Sequence, residues 1–319
     1  MNPIDIFNAV LYGVVEGITE WLPVSSTGHM LLLDQFVRLG VSTDFWNMFL
    51  VVIQLGAILA VCVLFFHELN PFSPSKSSDE RRFTWSLLAK IIVACLPAAI
   101  VGIPLDDWME EHLGSPFVIA AALIVYGILF IVIENARERK AEALALEASV
   151  GRVGSRAGSS PRHMARPKVQ EDAPRAAALA DRDARVQSIQ ELGWGTAIGI
   201  GIFQILSMVP GTSRSGSTII GGLLLGCSRA VAAEFTFYLA VPVMVGASGL
   251  RLFKFIHAGN VLAANELVIL VVGCVVAFAV SLAAIRFLMG FVKKHDFKPF
   301  GWYRIILGVV VIAYFLLCR

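Results

Sequence analysis

The chain has 319 residues, 57% of them hydrophobic and only 16% charged, with a net charge of +2 and a mean hydropathy of +0.74. A soluble domain has about a quarter of its residues charged, so the composition excludes an ordinary water-soluble globule. So small a net charge argues for no nucleic-acid partner.

The first residues are not basic and no cleavage pattern follows them, so no signal peptide is expected. The first apolar segment, about 5–38, carries "VEGITEWLPVSSTGHMLLLD", in which acids and a hydroxyl-rich loop interrupt the apolar pattern. Pro23 stops the incoming helix and a new apolar run starts at Met30. Runs at about 45–66, 85–104 and 117–133 follow, near the 20 helical residues that cross a hydrocarbon core. The next stretch, 135–192, is a basic linker. Residues 135–190 hold eleven Lys/Arg and seven Asp/Glu and no aromatic residue, which reads as mostly disordered after a helical start through "ENARERKAEALALEA". A second interrupted segment, about 194–227, contains "QILSMVPGTSRSGSTIIGGLLLG", and spans at about 231–255, 267–291 and 302–318 complete the chain. The five cysteines are scattered, without a CxxC pair, and read as small core residues.

The two halves resemble each other. Aligning Pro23 with Pro210 superposes the two Ser/Thr/Gly-rich loops, each within an interrupted segment followed by three spans. Matching Pro/Gly interruptions point to a membrane-embedded site at a repeat interface. If each interrupted segment enters and returns on one side, three spans per half invert the second half. Loops 67–83, 135–190 and 292–299 then share a face and gather Lys76, Arg81, Arg82, the linker's cations, Lys293, Lys294 and Lys298. The Lys/Arg excess places that face in the cytoplasm. The expected fold is an all-α polytopic membrane protein with two inverted-topology repeats, each a re-entrant helix pair followed by three transmembrane helices. The repeats are 1–134 and 193–319.

Glu16 and Glu20 are four residues apart, on one helix face. Ionisable residues inside a membrane are expensive and usually functional. Two adjacent carboxylates must share a proton, bind a cation or pair with a base; the plainer reading is an ion pair or a wet helix end. Ser25, Ser26 and Thr27 precede Gly28 and His29. Their hydroxyls suit a helix cap, while the free amides of a helix start suit an anion, and a serine three residues before a histidine suits a nucleophile. Arg214 stands between Ser213 and Ser215, with Thr218 on the next turn. Its guanidinium matches phosphate or carboxylate, against the plainer reading of an arginine that snorkels to an interface. Among weaker candidates, Lys90 and Arg286 read as snorkelling, Asp34 and Arg38 as a pair, Gln54 and Gln204 as interhelical glue, and Trp85, Trp108, Trp302 and Tyr303 as interfacial belt residues. Together the loops offer acids, hydroxyls, an imidazole and a guanidinium, a set suited to phosphoryl transfer.

"EGITEWLPVSSTGH" and "PGTSRSGST" closely resemble the two signature motifs of the bacterial undecaprenyl-diphosphate phosphatase family, also called bacitracin-resistance proteins. The resemblance covers nearly the whole chain outside the linker, which exceeds what the family's core needs. It implies a multi-pass inner-membrane enzyme, opening to the periplasmic side with its linker in the cytoplasm. Such an enzyme hydrolyses undecaprenyl diphosphate, a prenyl diphosphate lipid substrate, and recycles the carrier for cell-wall synthesis. It implies a divalent cation, Mg²⁺ or Ca²⁺, on Glu16 and Glu20, Ser26 as nucleophile, His29 as the motif histidine and Arg214 as the phosphate-binding arginine. Ser213, Ser215, Thr218, Ser25 and Thr27 are expected to contact phosphate. A homo-oligomer is compatible with the sequence. The rival reading is a lipid-carrier flippase or transporter of the same architecture.

Overall fold

A computed structural model describes residues 2–154 and 179–318. The chain is helical throughout these residues, and the only β pairing among them is one isolated bridge, Val186 with Cys227. The helices are α1 (Pro3–Thr19), α2 (Ser26–Phe36), α3 (Thr43–Val52), α4 (Gln54–Leu64), α5 (Phe66–Leu69), α6 (Ser78–Leu113), α7 (Pro116–Gly154), α8 (Trp194–Ile205), α9 (Arg214–Leu224), α10 (Arg229–His257), α11 (Ala264–Val292) and α12 (Lys298–Leu317). Among the described residues six stretches are long and apolar enough to cross a membrane: α3 with α4, the first 28 residues of α6, Pro116–Glu147 of α7, α10, α11 and α12. The chain is an all-α polytopic membrane protein.

Two expectations shift. The span expected at about 85–104 does not stop there, because α6 continues through Pro97 and Pro104 to Leu113. The linker is ordered at both described ends. α7 carries on to Gly154, and 179–192 packs back on the core through Val186 N to Gly226 O (3.1 Å) and Ser228 N to Val186 O (2.9 Å). The rest of the linker lies outside the described residues.

Packing crosses between the halves. α1 lies on α11 and α8 lies on α6, while α7 pairs with α12. Small residues set these crossings. A Cβ on Gly13 or Gly17 would meet the backbone oxygens of Gly273 or Ala277 at 2.8 Å, and one on Gly201 would collide with that of Ala94. At the α7–α12 crossing, a Cβ on Gly127 would stand 2.6 Å from Gly301 O, and one on Gly301 2.7 Å from Gly127 O. Without a hydrophobic drive between helices in lipid, such close approach is what holds them together.

Candidate active site

α1 ends at Thr19, and residues 20–25 turn the chain into α2; residues 206–213 likewise connect α8 to α9. The two turns share an unusual device. Ser25 and Ser213 are the only non-glycine residues at positive φ among the described residues, at 71° and 69°. Each caps the following helix, Ser25 Oγ accepting from Gly28 N at 3.4 Å and Ser213 Oγ from Gly216 N at 3.3 Å. This conformation costs a non-glycine residue about 1–3 kcal/mol, and such strain clusters at functional sites. The matched caps place Ser25 opposite Ser213, hence Pro23 opposite Gly211 rather than Pro210, and Glu16 opposite Gln204. The register differs by one residue from the proline alignment.

The turns meet through charge. Arg214 donates from Nη2 to Glu20 Oε1 at 3.0 Å and from Nη1 to Thr236 O at 3.1 Å. The other Glu20 oxygen accepts from Ser26 Oγ at 2.8 Å. Ser215 Oγ donates to Glu20 O at 3.1 Å, and the Arg214 guanidinium lies 6.0 Å from the centre of the buried Trp21 ring. Glu16, one turn before Glu20 on α1, is 1% exposed, and its Oε1 has no hydrogen-bond partner; neither has Arg214 Nε.

Other expected residues are placed differently. His29 does not bond Ser26: its Nδ1 is 2.7 Å from Ser25 O and its Nε2 is 2.7 Å from Tyr303 Oη, with the ring planes nearly parallel. The Ser25 and Ser213 hydroxyls are used as caps. Thr218 Oγ1 donates to Arg214 O at 2.9 Å and accepts from Thr236 Oγ1 at 2.9 Å, fixing the Arg214 backbone from within α9. Thr27 is exposed. Gln204 is fully buried with no partner for its amide, so it is not the interhelical glue its sequence position suggests.

Two residues of the assembly escaped the sequence reading. Arg304 of α12, fully buried, donates to Pro23 O (3.2 Å), Gly211 O (2.8 Å) and Thr212 O (2.8 Å), tying both turns with one side chain over the Tyr126 ring. Tyr303, read as an interfacial belt residue, is half exposed but holds His29. The only signal for either was its proximity to a span start, which also describes a snorkelling arginine and a belt tyrosine.

The family model described as "Bacitracin resistance protein BacA" matches residues 9–159 and 164–310. The chain belongs to this BacA family. Proteins named undecaprenyl-diphosphatase are similar over nearly their full length. That of Limosilactobacillus fermentum is 50% identical, covering 98% of this chain and 99% of its own. Those of Lactiplantibacillus plantarum and Enterococcus faecalis are 49% and 45% identical, each across 98% of this chain.

Proposed function

We propose that the chain is an integral membrane phosphatase that hydrolyses undecaprenyl diphosphate to the monophosphate and inorganic phosphate, returning the carrier lipid to cell-wall synthesis. The observation that carries this reading is the line Ser26–Glu20–Arg214: a hydroxyl bonded to a carboxylate that is paired to a guanidinium across two buried turns. The relatives' printed names supply the substrate class. Transport alone needs no such nucleophile, and none of these relatives is named a transporter.

In this reading Ser26 Oγ attacks the terminal phosphorus, Glu20 Oε2, its bonded partner, takes the proton, and the anhydride P–O bond breaks so that undecaprenyl phosphate leaves. Arg214 offers the free Nε–H, and its other donors, to the phosphate oxygens, stabilising charge as it develops. His29, held by Ser25 O and Tyr303, serves at the mouth of the turn rather than as the base for Ser26. Water then cleaves the phosphoseryl bond. The orphaned Glu16 Oε1 fits a divalent cation, Mg²⁺ or Ca²⁺, that Glu16 and Glu20 would hold. No cluster of three or more His, Cys, Asp or Glu that could hold an ion occurs among the described residues. Two carboxylates shared with substrate phosphate is a usual Mg²⁺ arrangement. Bound there, the ion would offset the diphosphate's negative charge.

The crossed packing and the matched serine caps support two repeats related by inversion, with the α1–α2 and α8–α9 pairs as re-entrant hairpins. The basic loops support a cytoplasmic linker, and the family resemblance supports access from the outer face. The test is phosphate release from a prenyl diphosphate by purified protein, with and without EDTA. Release that falls by at least about a hundredfold with chelator and returns with Mg²⁺ or Ca²⁺ is expected. No release under any metal sinks the assignment; release indifferent to chelator removes the cation.

A further inference from the structure

Away from the paired turns, the linker-facing end of α7 carries a second polar assembly. Buried Glu134 accepts from Arg229 Nε (2.8 Å), Arg229 Nη2 (2.6 Å) and Phe297 N (3.0 Å). Asp181, on the returning linker, accepts from Arg137 Nη2 (3.1 Å) and Arg229 N (3.0 Å). Two arginines and two carboxylates balance, as buried charges must. This knot fixes residues 180–185 against α7 and leaves between them and the end of α9 a cavity of about 450 Å³.

The cavity walls are of two kinds. Val132, Ile133, Leu223 and Leu224 make an aliphatic floor, with Val132 and Leu224 more than half exposed. Lys140 and Arg185 stand on its wall, and neither has a hydrogen bond or ion pair among the described residues. Asp183 is the one carboxylate lining it among the described residues. The depth is telling. α7 is apolar from Phe117 to Ile133, about 25 Å of helix; taking the end of that run as the edge of the hydrocarbon core places Lys140 two turns beyond it, at the level of lipid headgroups. An aliphatic floor opening under unspent cations at that depth matches a chain-bearing phosphate. Basic pockets between transmembrane helices take such head groups.

We propose that this cleft binds the phosphate head of an anionic phospholipid through Lys140 and Arg185, its acyl chains lying on Val132 and Leu224. The site is separate from the paired turns, and the inference does not depend on the phosphatase reading. Delipidated full-length protein in detergent is titrated with phosphatidylglycerol or with phosphatidylcholine of the same acyl chains, and retained lipid is counted by native mass spectrometry. Wild type should retain phosphatidylglycerol preferentially. The double variant Lys140→Gln/Arg185→Gln should need roughly tenfold more of it, whereas Lys140→Arg/Arg185→Lys should not, and phosphate release in detergent should be the same in all three. Equal retention of the two lipids by wild type, or undiminished phosphatidylglycerol retention by the Gln variant, overturns the proposal. Displacement by inorganic phosphate alone at equal concentration reassigns the site to a free anion, and displacement by a prenyl monophosphate at lower concentration reassigns it to the carrier lipid; either result overturns the phospholipid.

Discussion

Ser26 and His29 are neighbours on one helical turn, yet only Ser26 touches a carboxylate. That distinction was not legible in the sequence, where a serine three residues before a histidine reads as a nucleophile and its base. What decides it is Ser25: as a left-handed cap it starts α2 so that its own carbonyl takes His29 Nδ1. The acids were legible, since charge is costly in an apolar segment and Glu16 and Glu20 lie inside one. Ser26→Ala should therefore lower kcat by about a thousandfold or more, with the protein still folded; substantial residual turnover would favour direct attack by water. Tyr303→Phe removes the hydroxyl from His29 Nε2 and leaves the Nδ1 contact. A fall of roughly tenfold in kcat/KM with unchanged thermal stability is expected, and wild-type rates would reduce Tyr303 to a packing residue.

At the scale of elements, the interrupted segments and the six spans follow from apolar runs and their Pro/Gly breaks. Helix ends were read less well. Pro97 and Pro104 were natural stops, but α6 passes through both because neighbouring helices in a bundle can satisfy the freed backbone groups. The linker's return was hidden because its anchor is tertiary: Asp181 is an ordinary acid until Arg137 and Arg229 arrive from α7 and α10. The α7–α12 crossing is the element contact on which the turns depend, since Tyr126 and Arg304 flank it. Gly127→Ala should cost about 1–3 kcal/mol through overpacking, read as a lower unfolding temperature in detergent, and should lower activity with it. Unchanged stability would mean that the helices part without strain.

For the whole molecule, the exchange of packing partners between the two expected halves was not visible in the sequence. Neither half builds the Glu20–Arg214 pair alone, because the two residues come from different halves. The proposed orientation rests on Lys/Arg asymmetry. In a background with the native cysteines replaced, Thr27→Cys, at an exposed position of the first turn, should react with a membrane-impermeant thiol reagent added to the outer face of intact cells. Labelling only after permeabilisation would reverse the proposed access.

The three hydrogen bonds that Arg304 donates to Pro23 O, Gly211 O and Thr212 O also expose the protein to interference from the lipid side. The side chain that clamps both turns rides on α12, one helical turn from the Gly127–Gly301 crossing. A hydrophobic inhibitor wedged into that crossing would drag the clamp away while leaving the phosphate cradle unoccupied. Such a compound would act non-competitively and need no resemblance to a diphosphate, and resistance to it would map to glycines outside the two signature motifs.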